Sequence, residues 1–394
     1  MDIKLSSRVQ RIKPSPTLAV SALAAQLRAE GRDVIGLGAG EPDFNTPDHI
    51  KEAGITAIRE GKTKYTAVDG TPGLKQAIID KFQRDNGHSY QPDQILVSCG
   101  GKQSFFNLCQ ALLDEGDEVI IPAPYWVSYP DMVLLADGKP VIVSADQSQG
   151  FKMTAQQLEA AITPRTRLVV INSPSNPTGV AYSREELAAL GEVMLRHPNV
   201  VVATDDMYEH MMFRDAPFCN ILMACPDLYD QTIVLNGVSK AYAMTGWRIG
   251  YAGGPKPLIA AMKKIQSQST SNPTSVAQEA AQVALNSDQS CVAEMCKAFQ
   301  DRHDYLVEAL NAIPGVECLP SDGTFYSFPS VKGAMEKLGM ESDVKFAEHL
   351  LDQVGVALVP GSAFGAEGHV RISFATSLDN LKQAVERIGR AVGA

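Results

Sequence analysis

Residues 232–254 read TIVLNGVSKAYAMTGWRIGYAGG. Two runs that read as strands, Ile233–Leu235 and Ile249–Ala252, flank a turn carrying Lys240 and, eight residues later, Arg248. A lysine held between strands of mostly apolar or small residues is partly desolvated, which lowers its pKa and favours the neutral amine. The neutral amine is the form that condenses with a carbonyl to a Schiff base. A neighbouring guanidinium is a natural anion clamp. A plain surface lysine in an inter-strand loop fits the same letters, and the segment alone does not choose. It does establish a strand–turn–strand pattern, and similar strand runs recur upstream.

Working outward, candidate strands are Ile95–Ser98, Glu118–Ile121, Pro140–Ser144, Leu168–Asn172, Val200–Thr204, Thr232–Asn236 and Ile249–Gly253. Helical patterns lie between most of them, including Lys102–Leu113, Tyr125–Leu135 and Arg184–Leu195. This alternation predicts an α/β fold with a mainly parallel seven-stranded sheet and helices on both faces. Ligands on such sheets bind outside the carboxyl ends of the strands. From about Pro255 the pattern turns helical, at Lys263–Gln268, Ser275–Asn286 and Ser290–Ala312. Short strand-like pieces come next at Tyr326–Phe328, Val356–Val359 and His369–Phe374, then a helix at Leu378–Val392. These predict a smaller α+β domain. A helix over Thr17–Glu30, entered through Pro14–Ser15–Pro16, joins it or a subunit interface. The expected division is 48–285 for the larger domain, and 1–47 with 286–394 for the smaller.

The chain has 394 residues, 45% hydrophobic and 20% charged, which is enough to bury a large core without staples. Its net charge of −10 argues against general nucleic-acid binding, which needs basic surface. No apolar run approaches the roughly 20 residues of a membrane span, and residues 1–10 lack the apolar stretch of a secretory signal. The seven cysteines are scattered, with no CxxC spacing. No zinc site or disulfide framework is expected, and a reducing, cytoplasmic setting fits best.

The residues immediately after each strand carry the chemistry. Cys99–Gly–Gly–Lys102 opens a helix after Ser98. Glycines at a helix N-terminus expose N–H groups to an anion, and Lys102 adds a charge; an ordinary strand-to-helix turn reads the same way. Pro122–Ala–Pro–Tyr–Trp126 comes after Ile121, and the indole can stack on a planar ring or pack in the core. Ser173–Pro–Ser–Asn–Pro–Thr–Gly179 comes after Asn172, either presenting Asn176 as a donor or serving only as a rigid turn. Asp205–Asp–Met–Tyr208 comes after Thr204. A carboxylate ending a buried strand is costly unless paired. A protonated ring nitrogen would meet that cost, or Asp205 could cap the next element. All these groups fall at one edge of the sheet, and together they describe a pocket for an anionic, planar, aldehyde-bearing ligand. Gly36–Leu–Gly–Ala–Gly40 is discounted as a dinucleotide loop, because Glu41 replaces the third glycine and no helix opens from it. No P-loop, HExxH or GxSxG is present, and His210 has no ligand spacing around it.

The set Asn176–Pro–Thr–Gly179, Asp205–Asp–Met–Tyr208, Ser239–Lys240 and Gly246–Trp–Arg248 is highly specific in combination. Together with Lys13–Pro–Ser–Pro–Thr17 and Val370–Arg–Ile–Ser373, it resembles the class I aminotransferases over essentially the whole chain. These are pyridoxal-phosphate enzymes of the aspartate aminotransferase type (fold type I). The nearest likeness is to the bacterial branch with Gly–Gly–Lys at the phosphate turn. The resemblance implies Lys240 as the Schiff-base lysine, Asp205 as partner of the pyridinium nitrogen, and Tyr208 and Asn176 as donors to the phenolic oxygen. It implies Trp126 stacked on the ring, and Gly101, Lys102, Ser239 and Arg248 around the phosphate. Tyr65 would reach the phosphate of a neighbouring subunit, so a homodimer with shared sites is expected. Gly40 and Arg371 would meet the substrate α-carboxylate, and Trp126 and Asn176 also border the substrate.

Three features depart from the family pattern. Gly237 stands where many relatives have serine, the acidic pair is Asp205–Asp206, and the animal-type distal arginine has no plain match. Lys102, with Ser15 and Thr17, looks like that arginine's substitute, and Lys13 could contact an acidic substrate. The expected activity is ping-pong transamination between an L-amino acid, best aspartate, and a 2-oxo acid, 2-oxoglutarate. Alternatives are aromatic, kynurenine or prephenate transamination, a β-lyase on the same fold, or a non-catalytic regulator.

Overall fold

A computed structural model describes residues 3–213 and 217–393. The outermost residues of the expected small domain, 1–2 and 394, lie outside the described part. Among the described residues, twelve strands occur in chain order: β1 (Ile35–Gly36), β2 (Ile95–Ser98), β3 (Glu118–Ala123), β4 (Lys139–Ser144), β5 (Thr166–Asn172), β6 (Val201–Asp205), β7 (Thr232–Gly237), β8 (Gly250–Gly253), β9 (Tyr326–Ser327), β10 (Val356–Ala357), β11 (Val359–Pro360) and β12 (Val370–Ser373).

Seven of them form one sheet in the order β2-β8-β7-β6-β5-β3-β4. All point the same way except β8, which is antiparallel to both β2 and β7. Apart from the half-exposed edge strand β4, both faces are buried, as expected where helices cover a parallel sheet. Alternate residues divide between two cores: Val97, Ile120, Val169, Ile171, Val202 and Val234 on one face, and Leu96, Val119, Ile121, Leu168, Val170 and Ile233 on the other. The period of two along each strand produces this division. The reversal of β8 places one further group. Gly250, its first residue, pairs with both Ser98 and Gly237, the ends of its neighbours. The turn before β8, with Arg248, is thereby delivered to the carboxyl edge of the sheet.

A third core gathers Ile35, Leu37, Phe299, Phe325, Phe346 and Ile372 with further residues of the C-terminal part. It packs around a three-stranded sheet, β11-β12-β9, beside the parallel pair β1-β10. Pairing of the early β1 with the late β10 joins the N-terminal segment to the C-terminal half of the chain. The Gly36–Gly40 segment leaves β1 without opening a helix.

Helix Arg184–Leu195 begins at a capping box made by Ser183 and Glu186, and its sequence-derived limits coincide with the observed ones. Other limits differ for identifiable reasons. The helix expected at Tyr125–Leu135 starts only at Ser128, because the residues before it continue the strand-end loop. The one expected at Lys263–Gln268 runs Lys256–Ser267, and Pro257 sits in its first turn, where proline fits. Helices Asp48–Arg59 and Pro72–Lys81 are not anticipated by the sequence pattern above. The second is capped by Thr71 and continues into a π turn, Phe82–Asn86.

Candidate active site

The carboxyl edge of the large sheet opens into a cavity of about 600 Å³. Of the residues singled out above as site candidates, all but Tyr65 and the more loosely placed Lys13 line it. Tyr65 is 92% exposed, on the outside of the chain.

One wall is built by glycines. Helix Gly101–Leu112 begins after Gly100, whose φ of +88° suits only glycine. Its first N–H groups have no partner within the helix. Gly250 of β8 lies so close that a Cβ there would fall 2.2 Å from the Gly101 nitrogen. A Cβ on Gly100 would fall 2.2 Å from the Arg248 guanidinium. Arg248, itself at φ +59°, donates to the carbonyls of Thr245 at 2.8 Å and Cys99 at 3.3 Å. Gly237 is also crowded: a Cβ there would fall 3.0 Å from the Ile249 carbonyl oxygen, so the absent serine is matched by absent room. Helix N-terminus, Ser239, Lys102 and Arg248 together make an anion cradle.

The floor is the end of β6. Asp205 sits opposite Asn172 of β5, whose side chain donates to the Asp205 carbonyl at 2.9 Å. Its carboxylate accepts from the Tyr129 hydroxyl and, at 3.3 Å, from the Met207 N–H. Burial pushes the Asp205 carboxyl above its ordinary range, against those donors and the more distant Lys240. The carboxylate is thus held in place by neutral donors, a setting suited to a cationic partner. Asp206 points the other way. It is fully buried and accepts from Thr204 and Asn220, each at 2.6 Å. Trp126 stands edge-on to Tyr129, and the Lys102 ammonium lies 5.2 Å from its ring centre.

Lys240 faces this floor from the turn after β7. Its amine donates to the Gly40 carbonyl. Burial first, then the Arg371 and Arg248 guanidinium groups, push it down to about 8, against the pull of Glu41 and Asp205. Opposite stands Arg371, delivered by β12 and only 2% exposed. It lies 4.3 Å from the Tyr326 ring centre and donates to Asn176 and to the Gly38 carbonyl, each at 2.8 Å. Its Nε–H is buried without an acceptor. Such an orphan donor on a planar fork matches a bound carboxylate. Asn176 accepts from Arg371 through its carbonyl oxygen, leaving the NH2 side to donate. Tyr208 and Tyr326 share a hydrogen bond of 3.1 Å. At the entrance, Ser15 and Thr17 bond to each other at 2.9 Å.

Sequence reasoning missed Tyr129, Asn172, Tyr326 and Glu41 as cavity residues. Tyr129 lies three residues beyond Trp126, and its N–H bonds to the Trp126 carbonyl at 3.0 Å in the turn that enters the helix. Asn172 was read only as the end of a strand. Glu41, whose carboxylate accepts from Thr245 at 2.8 Å, was weighed only as a missing glycine. Around His210, by contrast, ligand-type atoms of Asp85, Glu209 and His210 do converge. The Lys81 ammonium sits against Glu209 among them.

Comparison with known proteins agrees with this geometry. The family model for aminotransferase class I and II matches residues 32–388. A Nitrosomonas europaea protein named aspartate/prephenate aminotransferase is 62% identical, covering 98% of this chain and 99% of that one. The crystal structure of the Rhizobium meliloti aspartate aminotransferase superposes with a TM-score of 0.96 at 51% identity, covering 99% of both chains. A Thermus thermophilus aspartate aminotransferase solved with maleate gives 0.93 at 45% identity, over 99% of this chain and 100% of that one. With a lysine, an aspartate and two arginines converging at the strand ends of this fold, the chain belongs to the class I and II aminotransferases.

Proposed function

We propose that the cavity holds pyridoxal 5′-phosphate and transfers an amino group between aspartate and a 2-oxo acid, 2-oxoglutarate first among them. The observation that carries this is the Lys240 amine, held near pKa 8 in a cavity that offers a carboxylate, Asp205, on one side and two arginines on the others. The residues fit the group. The glycine-built cradle suits its phosphate, Asp205 lacks an adjacent cation that a ring N–H would supply, and Lys240 suits its aldehyde.

When bound, the cofactor supplies an electron sink for the carbanion formed at the substrate α-carbon. Everything else is the work of this chain. Arg371 holds the α-carboxylate through its fork, with Nε–H the donor that still lacks an acceptor. Lys240, neutral in a useful fraction near pH 8, would take the proton from the substrate α-carbon and give it to the carbon that carried the cofactor's aldehyde, acting first as base and then as acid. Asp205, positioned by Tyr129, would keep the ring nitrogen protonated. Tyr208 and Asn176 would donate to the ring oxygen, Trp126 would cover the ring, and Gly101, Ser239 and Arg248, with Lys102 beside them, would hold the phosphate. Gly40, Ser15, Thr17 and Lys102 border the rest of the substrate. Lys102, exposed beside the Trp126 ring, offers a cation either to the phosphate or to a second carboxylate. The relative solved with maleate, a dicarboxylate, supports a diacid substrate. Prephenate as acceptor is supported by the name of the Nitrosomonas relative.

Residues 48–285 are assigned to the cofactor-holding domain, and 1–47 with 286–394 to the smaller one that brings Arg371. The exposed Tyr65 and the apolar Ile55, Ile58 and Leu18 around the surface favour a homodimer in which Tyr65 completes the partner's site. All seven cysteines are free, which favours a reducing, cytoplasmic setting. No described helix is long and apolar enough to cross a membrane.

The test is a panel of amino donors against 2-oxoglutarate, oxaloacetate and prephenate, with both products quantified. Stoichiometric exchange of amino acid for oxo acid is expected, fastest with aspartate. Pyruvate and ammonia from one amino acid would instead identify a lyase, and multiple turnovers by Lys240→Ala would sink the assignment.

A further inference from the structure

Behind the cavity lies a second polar cluster that the reaction does not use. Lys81 has no exposure, and Glu209, Asn86 and Asn236 are buried with it. Lys81 pairs with Glu209 and donates to Asn86 at 2.9 Å. Asn86 in turn donates to the other Glu209 oxygen at 2.8 Å. Lys81 and Asn86 are five residues apart across the π turn, whose i to i+5 period brings both to one carboxylate. Asn236 donates to Glu209 at 2.7 Å, and its own carbonyl oxygen accepts from the Gly237 N–H at 2.7 Å. His210 stands 3.4 Å from Glu209 and 3.5 Å from Asp85.

A buried ion pair is often no more stabilising than apolar residues of the same size. Stability alone is therefore a weak reason for it, and its connections matter more. Glu209 comes directly after Tyr208 in the chain. Asn236 lies near the end of β7, three residues before Ser239. The cluster is thus a bridge between two turns that are neighbours in the cavity but belong to different strands.

We propose that Glu209 and Asn236 are positioning residues, with Lys81 the counter-charge buried behind them. Their relay ties the turn carrying Asp205 and Tyr208 to the turn carrying Ser239 and Lys240, and so sets the spacing between the ring-holding and phosphate-holding halves of the cradle. This rests on the reading of the cavity as a pyridoxal-phosphate site. Asn236→Ala cuts the relay at its last link and leaves the Lys81–Glu209 pair intact.

The experiment measures release of pyridoxal phosphate from the holoenzyme, and the pH titration of its bound absorbance. In Asn236→Ala, release should be about tenfold faster, the loss of one charge-assisted hydrogen bond, and the titration midpoint should move. The double variant Lys81→Met/Glu209→Gln removes the charges but keeps an acceptor for Asn236, so its release rate should stay near wild type. Asn236→Ala with a lower melting temperature but wild-type release and titration would overturn the proposal, leaving the cluster structural. A double variant that releases as fast as Asn236→Ala would overturn it too. Should Asn236→Ala not fold, Asn236→Ser takes its place with the same expected outcomes. Wild-type protein that binds no pyridoxal phosphate would refute the cavity reading itself, a result seen before any variant is made.

Discussion

The depressed Lys240 amine makes a stability prediction that needs no substrate. Its pKa falls from 10.5 in the unfolded chain to about 8 in the folded one. Below pH 8 the lysine is charged in both states, and folding carries the full cost of enclosing that charge. Between about 8 and 10.5 the folded protein has released the proton while the unfolded chain still holds it. The unfolded state then binds more protons, so stability rises with pH. Above 10.5 both states are neutral and the cost is gone. At about 1.4 kcal/mol per pKa unit, the shift corresponds to on the order of 3 kcal/mol. Lys240 is half-buried, and solvent screening leaves about 2 kcal/mol. Lys240→Met has no charge to bury. In cofactor-free protein its stability relative to wild type should be about 2 kcal/mol more favourable at pH 7 than at pH 10.5. Urea unfolding of both proteins across that range, at matched concentration, reads the difference directly, and other titrating groups cancel between them. A difference that stays flat with pH, or that grows in the variant's favour as pH rises, would refute the reasoning.

Other outcomes depend on single features of the site. Arg371→Lys loses the planar fork and its Nε donor, so kcat/KM should fall roughly 10- to 100-fold for amino acid and oxo acid alike; a change confined to one substrate would contradict a shared carboxylate site. Gly250→Ala places a methyl 2.2 Å from the Gly101 nitrogen and should lower stability by about 1–3 kcal/mol while weakening cofactor retention. Gly246→Ala, where nothing lies within 4 Å, is the control and should melt near wild type. Asp205→Ala should reduce kcat far more than Tyr208→Phe, since one removes the charge that holds the ring nitrogen protonated and the other a single donor. Equal effects in steady-state kinetics would place the ring-nitrogen role in doubt.

Much of this arrangement is legible in the chain alone. Alternating β-branched runs and helical patterns specify buried parallel strands, because period and length are local properties. The few residues that come after each strand must then fall at the carboxyl edge, so Asp205, Asn176, Trp126 and Lys240 could be grouped without knowing a single distance. Helix limits were harder where a proline or a loop aromatic serves two purposes, as at Pro257 and Tyr125. The Lys81–Glu209–Asn236 cluster was invisible. Its members lie far apart in the chain, each looks like an ordinary surface residue, and the π turn that aims Lys81 and Asn86 together has no clear sequence signal.

The sequence by itself determined the strands, the turn residues and the lysine, because each depends on neighbours within a few positions. Only the tertiary structure decided what surrounds that lysine. The antiparallel β8 brings Arg248 back to the strand ends, and β12 carries Arg371 to Asn176 and Gly38 from the far end of the chain. Tyr129 is turned onto Asp205 by its helix. Enclosure by these distant groups, together with the two guanidinium charges, lowers the Lys240 amine, and Arg371, Asp205 and Gly40 all lie outside residues 232–254.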